Sequence, residues 1–383
     1  MIVRTEWEEL YQYAVEIYRE LHAWPEVGFA LERTVAKVSG ELREMGIPYS
    51  TEYGTCSLVA ELGQGERLLA LRADMDALPV EEKTELPFKS RIPGQMHACG
   101  HDSHTAILLA VARFLKRHEE ELSCRVRLIF QPSEEGAISG AKMMVEHNVM
   151  EGVDEVIATH CDAEIETGRI GVHSGDYMAA CIPMTISFLG KTAHAAKPEY
   201  GVDAVAMCVE AYQKLKEMVT GEAGERRYIW CVGRFSGGTV HNVIADRCEM
   251  DISFRYYDKA FAQRVMQQAE AICAQVAASY GGKAVVDWHV SAEAVHNQAE
   301  LTEAFCQSLE QAGGFVVEEM PSRMTSEDFC WYLTKAPGMI FRFGIRNEEK
   351  GCTAIAHRND FCVDEEGMRS AIGAFISYVM QRK

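Results

Sequence analysis

Four short segments of this 383-residue chain each set a metal-binding side chain just beyond an apolar run, and that pattern restricts the folds open to it. They are residues 96–102 (Met-His-Ala-Cys-Gly-His-Asp), 131–136 (Gln-Pro-Ser-Glu-Glu-Gly), 159–160 (Thr-His) and 356–357 (Ala-His). Through Cys99, His101, His160, His357 and Glu135 they offer a thiolate, three imidazoles and a carboxylate, with a second carboxylate, Glu134, alongside. Such an inventory suits a two-metal hydrolytic site with its own general base. Open α/β sheets build their sites at the carboxyl ends of strands and in the loops that follow, which is where these segments fall.

The chain is too long for one ordinary core, so two domains are expected. A hydrophobic content of 48% and a charged content of 25% are those of a soluble globular protein. The net charge of −19 argues against nucleic acid as a partner, because phosphates would be repelled. The absence of a run of about 18 apolar residues argues against a membrane span. The acidic, amphipathic start at residues 1–9 is unlike a secretory signal, so a cytoplasmic location is expected. Thirteen cysteines, odd in number and irregularly spaced, then read as reduced thiols, mostly small buried hydrophobes, with no disulfides.

Helical spacing covers residues 5–46 in two stretches, broken near Pro25. Residues 68–72, 124–130, 156–159 and 339–343 read as strands, and 105–116 and 139–147 as helices. Strands alternating with helices imply an α/β sheet that is at least partly parallel. From about Pro183 the texture changes. Residues 184–189 and 248–254 alternate like antiparallel strands, with helices near 203–219 and 260–280. The expected architecture is therefore α/β: a mixed-sheet domain with helices on both faces (residues 1–182 and 293–383), interrupted by a smaller α+β domain (183–292).

Cys99 and His101 lie two apart, so in an extended segment both point the same way. One ion can take His101 and His160 and the other Glu135 and His357, with Cys99 between them. Spacing alone leaves the assignment of ligands to ions open. Glu134, beside Glu135, can take a proton from the attacking water and return it to a leaving amine. His97 and His104 are further candidate ligands. Asp102 suits a helix start or the orientation of an imidazole, and Asp74 and Asp76 suit the support of ligands from behind.

The chain resembles the peptidase M20 family, in its amidohydrolase branch of hippurate hydrolases, N-acyl-amino-acid amidohydrolases and plant auxin-conjugate hydrolases. Residues 22–26, 72–79, 96–102, 131–136, 190–198, 242–244, 326–329 and His357 carry the resemblance, nearly end to end. It implies a metallohydrolase domain interrupted by a lid domain that also makes a homodimer. It implies Cys99, His101, Glu135, His160 and His357 as ligands of two divalent ions per subunit, and Glu134 as general base. Mn²⁺ or Zn²⁺ is expected, with Co²⁺ and Ni²⁺ also compatible; the thiolate favours zinc. The resemblance adds His194, a lid histidine that reaches the partner subunit's active site and steadies the oxyanion. It also adds Asn242 and Arg255 as substrate-binding residues. The chain departs from the family's usual pattern at residues 161–167, at His241 and Ala245, and in lacking an acidic residue across 178–182.

The function expected is hydrolysis of the amide bond of an N-acyl amino acid or a small peptide-like conjugate, by metal-activated water with Glu134 as base. A dipeptidase or aminopeptidase with the same ions is the nearest alternative. A catalytically silent binding protein is a more distant one, which the full ligand set and the retained Glu134 disfavour.

Overall fold

The computed structural model describes residues 4–382, so the first three residues of the acidic N-terminal stretch lie outside it. The chain divides into two compact units, one of residues 1–177, 296–322 and 327–383, the other of residues 178–295 and 323–326.

The first unit is organised on an eight-stranded sheet. Its order is Tyr49–Ser50, Leu58–Gly63, Arg125–Gln131, Leu68–Asp74, Glu155–Glu166, Gly338–Arg346, Arg169–Val172, Val316–Glu319. The four inner strands from Arg125–Gln131 to Gly338–Arg346 pair in parallel, whereas Leu58–Gly63 and Arg169–Val172 join their neighbours antiparallel. The sheet is mixed for that reason. Leu68–Asp74 is buried along its whole length, as a Leu-Leu-Ala-Leu strand covered on both sides must be. The helix His101–Arg117 is itself almost wholly buried, from His101 to Leu115, and packs between the sheet and the helices Arg4–Ala23 and Gly367–Met380.

Register places the loops that matter. Asp74 pairs with Gln131, so the segments leaving these two parallel strands start side by side, and Met75 N–H donates to the Gln131 carbonyl at 2.9 Å. On the other side Arg72 pairs with Ala158, which sets His160 two residues beyond that pair. The strand read as residues 156–159 runs on to Glu166, so His160 sits within a strand rather than at its end. The strand before His357 ends at Arg346, so His357 belongs to a long loop rather than to a strand terminus.

In the second unit a four-stranded antiparallel sheet is ordered Lys283–Trp288, Ala180–Leu189, Arg247–Tyr256, Ile229–Gly237. Strict alternation of burial along Ala180–Leu189 shows one face in the core and one outside. The helices Ala204–Ala223 and Lys259–Tyr280 cover the apolar face and each other. Both start at an aspartate: Asp203 accepts from Val205 and Ala206 N–H, and Asp258 from Phe261 N–H. Among the described residues no helix is long and apolar enough to cross a membrane.

Gly100, which turns the chain into the buried helix, has φ +81°, and a Cβ there would lie 2.5 Å from Cys161 Sγ. Both features demand glycine. Gly100→Ala is expected to lower stability by about 2 kcal/mol or more in urea unfolding. A loss under about 0.5 kcal/mol would show that the turn adapts freely.

Candidate metal centre

Three segments of the first unit converge on Cys99. The turn at Gly100 places Cys99 and His101 at the head of the buried helix, and Cys99 Sγ lies 3.4 Å from His160 Nε2. Ligand atoms of Cys99, His101 and His160 lie within 4.8 Å of one another, and so do those of Cys99, Glu135 and His357. A further group joins His101 to Glu134 and Glu135. His357 Nε2 is 2.9 Å from Glu135 Oε1. The first two groups meet at a single sulfur.

The condition of His101 tests whether this arrangement fits a metal. The ring is fully buried, yet neither nitrogen has a hydrogen-bond partner. Its nearest carboxylates stand off, Asp76 Oδ1 at 3.6 Å from Nδ1, and Asp74 Oδ2 and Glu134 Oε2 at 3.8 and 4.0 Å from Nε2. Burial opposes a charged ring, but Asp74, Cys99 and Asp76 outweigh it and raise the His101 pKa well above its usual value. A buried imidazole with idle nitrogens, set among anionic groups, calls for a cation, and a divalent ion satisfies that demand. The donor set of thiol, imidazole and carboxylate is the one that zinc-type ions take. The residues fit.

His160 is prepared in the way ligating histidines usually are. Its Nδ1 donates to the Cys161 carbonyl at 2.7 Å, leaving the Nε2 lone pair facing Cys99. Burial, helped by the nearby Arg342 charge, holds its pKa well below normal and keeps the ring neutral. Burial also pushes the Cys99 thiol well up, against the pull of His101, so an ion that bound there would displace its proton. Glu135 is driven up by burial, but its partner His357, together with His101, outweighs this and lowers its pKa.

Glu134 differs from its neighbour. Burial and the like charges of Glu327, Asp328 and Glu135 hold its carboxyl well above the ordinary range. Its backbone is fixed by Asp76, whose two oxygens accept the N–H groups of Glu134 and Glu135 at 2.8 and 3.1 Å. The residue before it, Ser133, has φ +51°, and His357 has φ +71°. Left-handed backbone at non-glycine residues is costly and gathers where a site dictates it.

The other two aspartates have equally definite partners. Asp74 accepts from Arg72 at 2.7 Å and from His104 Nδ1 at 2.6 Å. Asp102 accepts from Ser103 N–H at the helix start and binds His22 Nδ1 at 2.7 Å. The two remaining histidines part ways. His104 has both nitrogens committed, Nδ1 to Asp74 and Nε2 to the Cys161 N–H at 2.9 Å, which closes it to an ion. His97 is buried without a hydrogen-bond partner, and burial pushes its pKa down to about 4.

Of the network behind the site, sequence reasoning gave a role to Asp74 alone. Arg72, wholly buried, donates to Gln131 at 2.8 Å and to Glu327 and Asp328 at 3.0 Å each, as well as to Asp74. Gln131 and Ser139 add further bonds to Asp328, whose pKa is pushed up to about 7 by burial, with Arg72 opposing and Glu327 reinforcing. The available signal was an adjacent Glu-Asp pair, matched by one arginine in an otherwise apolar strand.

The remaining candidates lie in the second unit. His194 is exposed and bridges Val243, and its Nδ1 accepts the Ala196 N–H at 3.0 Å, which leaves the proton on Nε2. Asn242 is beside it, its carbonyl accepting the Ala195 N–H at 3.0 Å. Arg255 donates through Nη1 to the Met324 carbonyl and Ser326 Oγ at 3.1 and 3.2 Å.

The buried charges can be tested at two positions. His22 is pressed toward neutrality by burial, but Asp102 and Glu82 prevail and raise its pKa to about 9. Its folded value exceeds the unfolded 6.5, so its stabilising charge is complete below pH 6.5 and lost as pH rises through 9. Wild-type stability should therefore fall between pH 7 and 9.5 more than that of His22→Gln; equal slopes would mean that His22 is neutral throughout. Arg72→Met should cost about 3–5 kcal/mol in urea unfolding, because it strands buried carboxylates. A loss near 1 kcal/mol would mean that they are already protonated.

The family model described as Peptidase family M20/M25/M40 matches residues 70–381 of this chain. The chain is 34% identical to the N-acetyl-L-cysteine deacetylase of Bacillus subtilis, covering 93% of this chain and 85% of that protein. It is 33% identical to thermostable carboxypeptidase 1 of Saccharolobus solfataricus, over 96% and 94% of the two. Among solved structures, the YXEP protein of Bacillus subtilis, a dinuclear metal-binding peptidase, superposes with a TM-score of 0.85 at 30% identity, covering 97% of this chain and 98% of that one.

Proposed function

This chain belongs to peptidase family M20/M25/M40 and is a hydrolase of amide bonds, and on that premise we propose that it removes the acyl group from N-acyl amino acids or closely related small conjugates. The observation that carries the proposal is His101, buried with two idle nitrogens among Cys99, His160, Glu134 and Glu135. We assign Cys99, His101, His160, Glu135 and His357 as the residues that would hold two divalent ions. The thiol favours zinc, and the carboxylate also suits Mn²⁺, Co²⁺ or Ni²⁺. Bound there, the ions supply Lewis acidity toward the amide carbonyl and make water easier to deprotonate.

Glu134 takes the proton of the attacking water and delivers it to the departing nitrogen. Its place beside Glu135, with Oε2 4.0 Å from His101 Nε2, puts a carboxyl at hand for both halves of that duty. Asp76 keeps Glu134 and Glu135 in their places through consecutive backbone bonds. His194, with its proton on Nε2, donates to the developing oxyanion of a neighbouring subunit in a homodimer, and Asn242 and Arg255 meet the substrate. Thirteen irregularly spaced cysteines suit a reducing, cytoplasmic setting.

A second reading has one specific support, the similarity to a protein named as a carboxypeptidase. A panel of N-acyl amino acids and unblocked dipeptides, with metal-stripped protein restored by Zn²⁺, Mn²⁺ or Co²⁺, separates the two. Metal-dependent cleavage of the blocked compounds is expected, whereas cleavage of dipeptides alone would favour the peptidase. Glu134→Gln should keep both ions and lose about 10²–10⁴-fold in kcat. Metal loss in that variant would instead make Glu134 a ligand.

A further inference from the structure

The loop carrying His357 is bracketed by two cysteines whose sulfurs face each other at 2.8 Å, ten residues apart in sequence. Cys352 and Cys362 are both free thiols and nearly inaccessible, 5% and 8% exposed. The backbone around them is firm. Asn347 and Cys352 exchange reciprocal hydrogen bonds at 2.9 Å. Asn347 and Lys350 both bond Asp364, two residues past Cys362, at 2.6 and 2.7 Å. Between the cysteines the chain is mostly at the surface, with Ile355 57% exposed, although Ala354 and Phe361 are buried. It is pinned where the His357 N–H donates to the Ala98 carbonyl at 2.7 Å and the Asn359 carbonyl accepts from Lys83 N–H at 2.8 Å.

Two sulfurs held this close by an otherwise fixed backbone have little to rearrange before bonding. We propose that Cys352 and Cys362 form a reversible disulfide that closes the His357 loop into a covalent ring when the protein meets a hydroperoxide. The hydrogen bond shared with Cys352 lowers the pKa of Cys362 against the effect of burial, which makes Cys362 the sulfur that reacts first. Its thiolate attacks one oxygen of hydrogen peroxide, the O–O bond breaks, and hydroxide leaves from a sulfenic acid. Cys352 gives its proton to that hydroxide and attacks the Cys362 sulfur, expelling a second hydroxide that takes up a proton from solvent. Two thiols are oxidised by two electrons, and one peroxide becomes two waters. A dithiol reductant reverses the change.

The ring narrows the freedom of the segment that presents His357, so a bound ion should leave more slowly from the oxidised protein. That consequence rests on the reading of His357 as a ligand. The crosslink does not.

The test uses the full chain loaded with Zn²⁺, treated with increasing hydrogen peroxide, alkylated under denaturing conditions and mapped by peptide mass. A crosslinked peptide joining Cys352 to Cys362 is expected at doses below those that oxidise the exposed Cys231, and dithiothreitol should abolish it. Both cysteines alkylated as free thiols after Cys231 is oxidised, or each carried singly to a sulfinic acid, would overturn the proposal. Release of Zn²⁺ to a chromogenic chelator is measured on preparations whose map shows Cys99 unmodified. Several-fold slower release after oxidation is expected, with no effect of peroxide in the Cys352→Ser/Cys362→Ser double variant. Unchanged release despite the crosslink would overturn the coupling to His357 while leaving the disulfide in place.

Discussion

Everything at the candidate centre leans on one buried cation. Arg72 joins Asp74, Gln131, Glu327 and Asp328, which arrive from a central strand, its parallel neighbour and a segment some 255 residues further along. Without it, carboxylates in a dry interior would repel one another and take up protons. With it, Asp74 is free to hold His104, and His104 holds the backbone of Cys161, next to His160. The same carboxylates that Arg72 gathers raise the pKa of Glu134. One guanidinium thus ties together the strands and the segment that frame the candidate centre.

The cluster in front of that network has the opposite balance. Cys99 and the carboxyl groups of Asp74, Asp76, Glu134 and Glu135 gather around His101, whose nitrogens find no hydrogen-bond partner. A protein interior rarely tolerates such an arrangement unless a cation belongs to it. Strained backbone at Ser133 and His357 points the same way, since both residues adjoin or form the cluster.

Much of this was legible in the sequence, and the gaps have physical reasons. Apolar runs before Asp74 and Gln131 identify two strands, because a buried parallel strand is a short apolar run with abrupt ends, but their adjacency shows only in the register. The alternation along 184–189 and 248–254 identifies the sheet of the second unit, since burial of every second residue marks a strand with one face in the core. His104 could not be separated from His101 by spacing, as both lie on the first turn of one helix. Only the bonds to Asp74 and Cys161 distinguish them. Arg72 read as the end of a strand because its partners are remote in sequence. The nine residues separating Cys352 from Cys362 match no short motif, and their meeting depends on a loop closed by Asn347 and Asp364.

The most direct test of a two-ion centre is its stoichiometry. Metal-stripped protein would be dialysed against Zn²⁺ and, separately, Mn²⁺, and the ions per chain counted by inductively coupled plasma mass spectrometry beside Cys99→Ser and His101→Ala variants. Two ions per wild-type chain are predicted, with fewer in each variant. A wild-type chain that binds none, or one ion indifferent to both substitutions, would contradict the account.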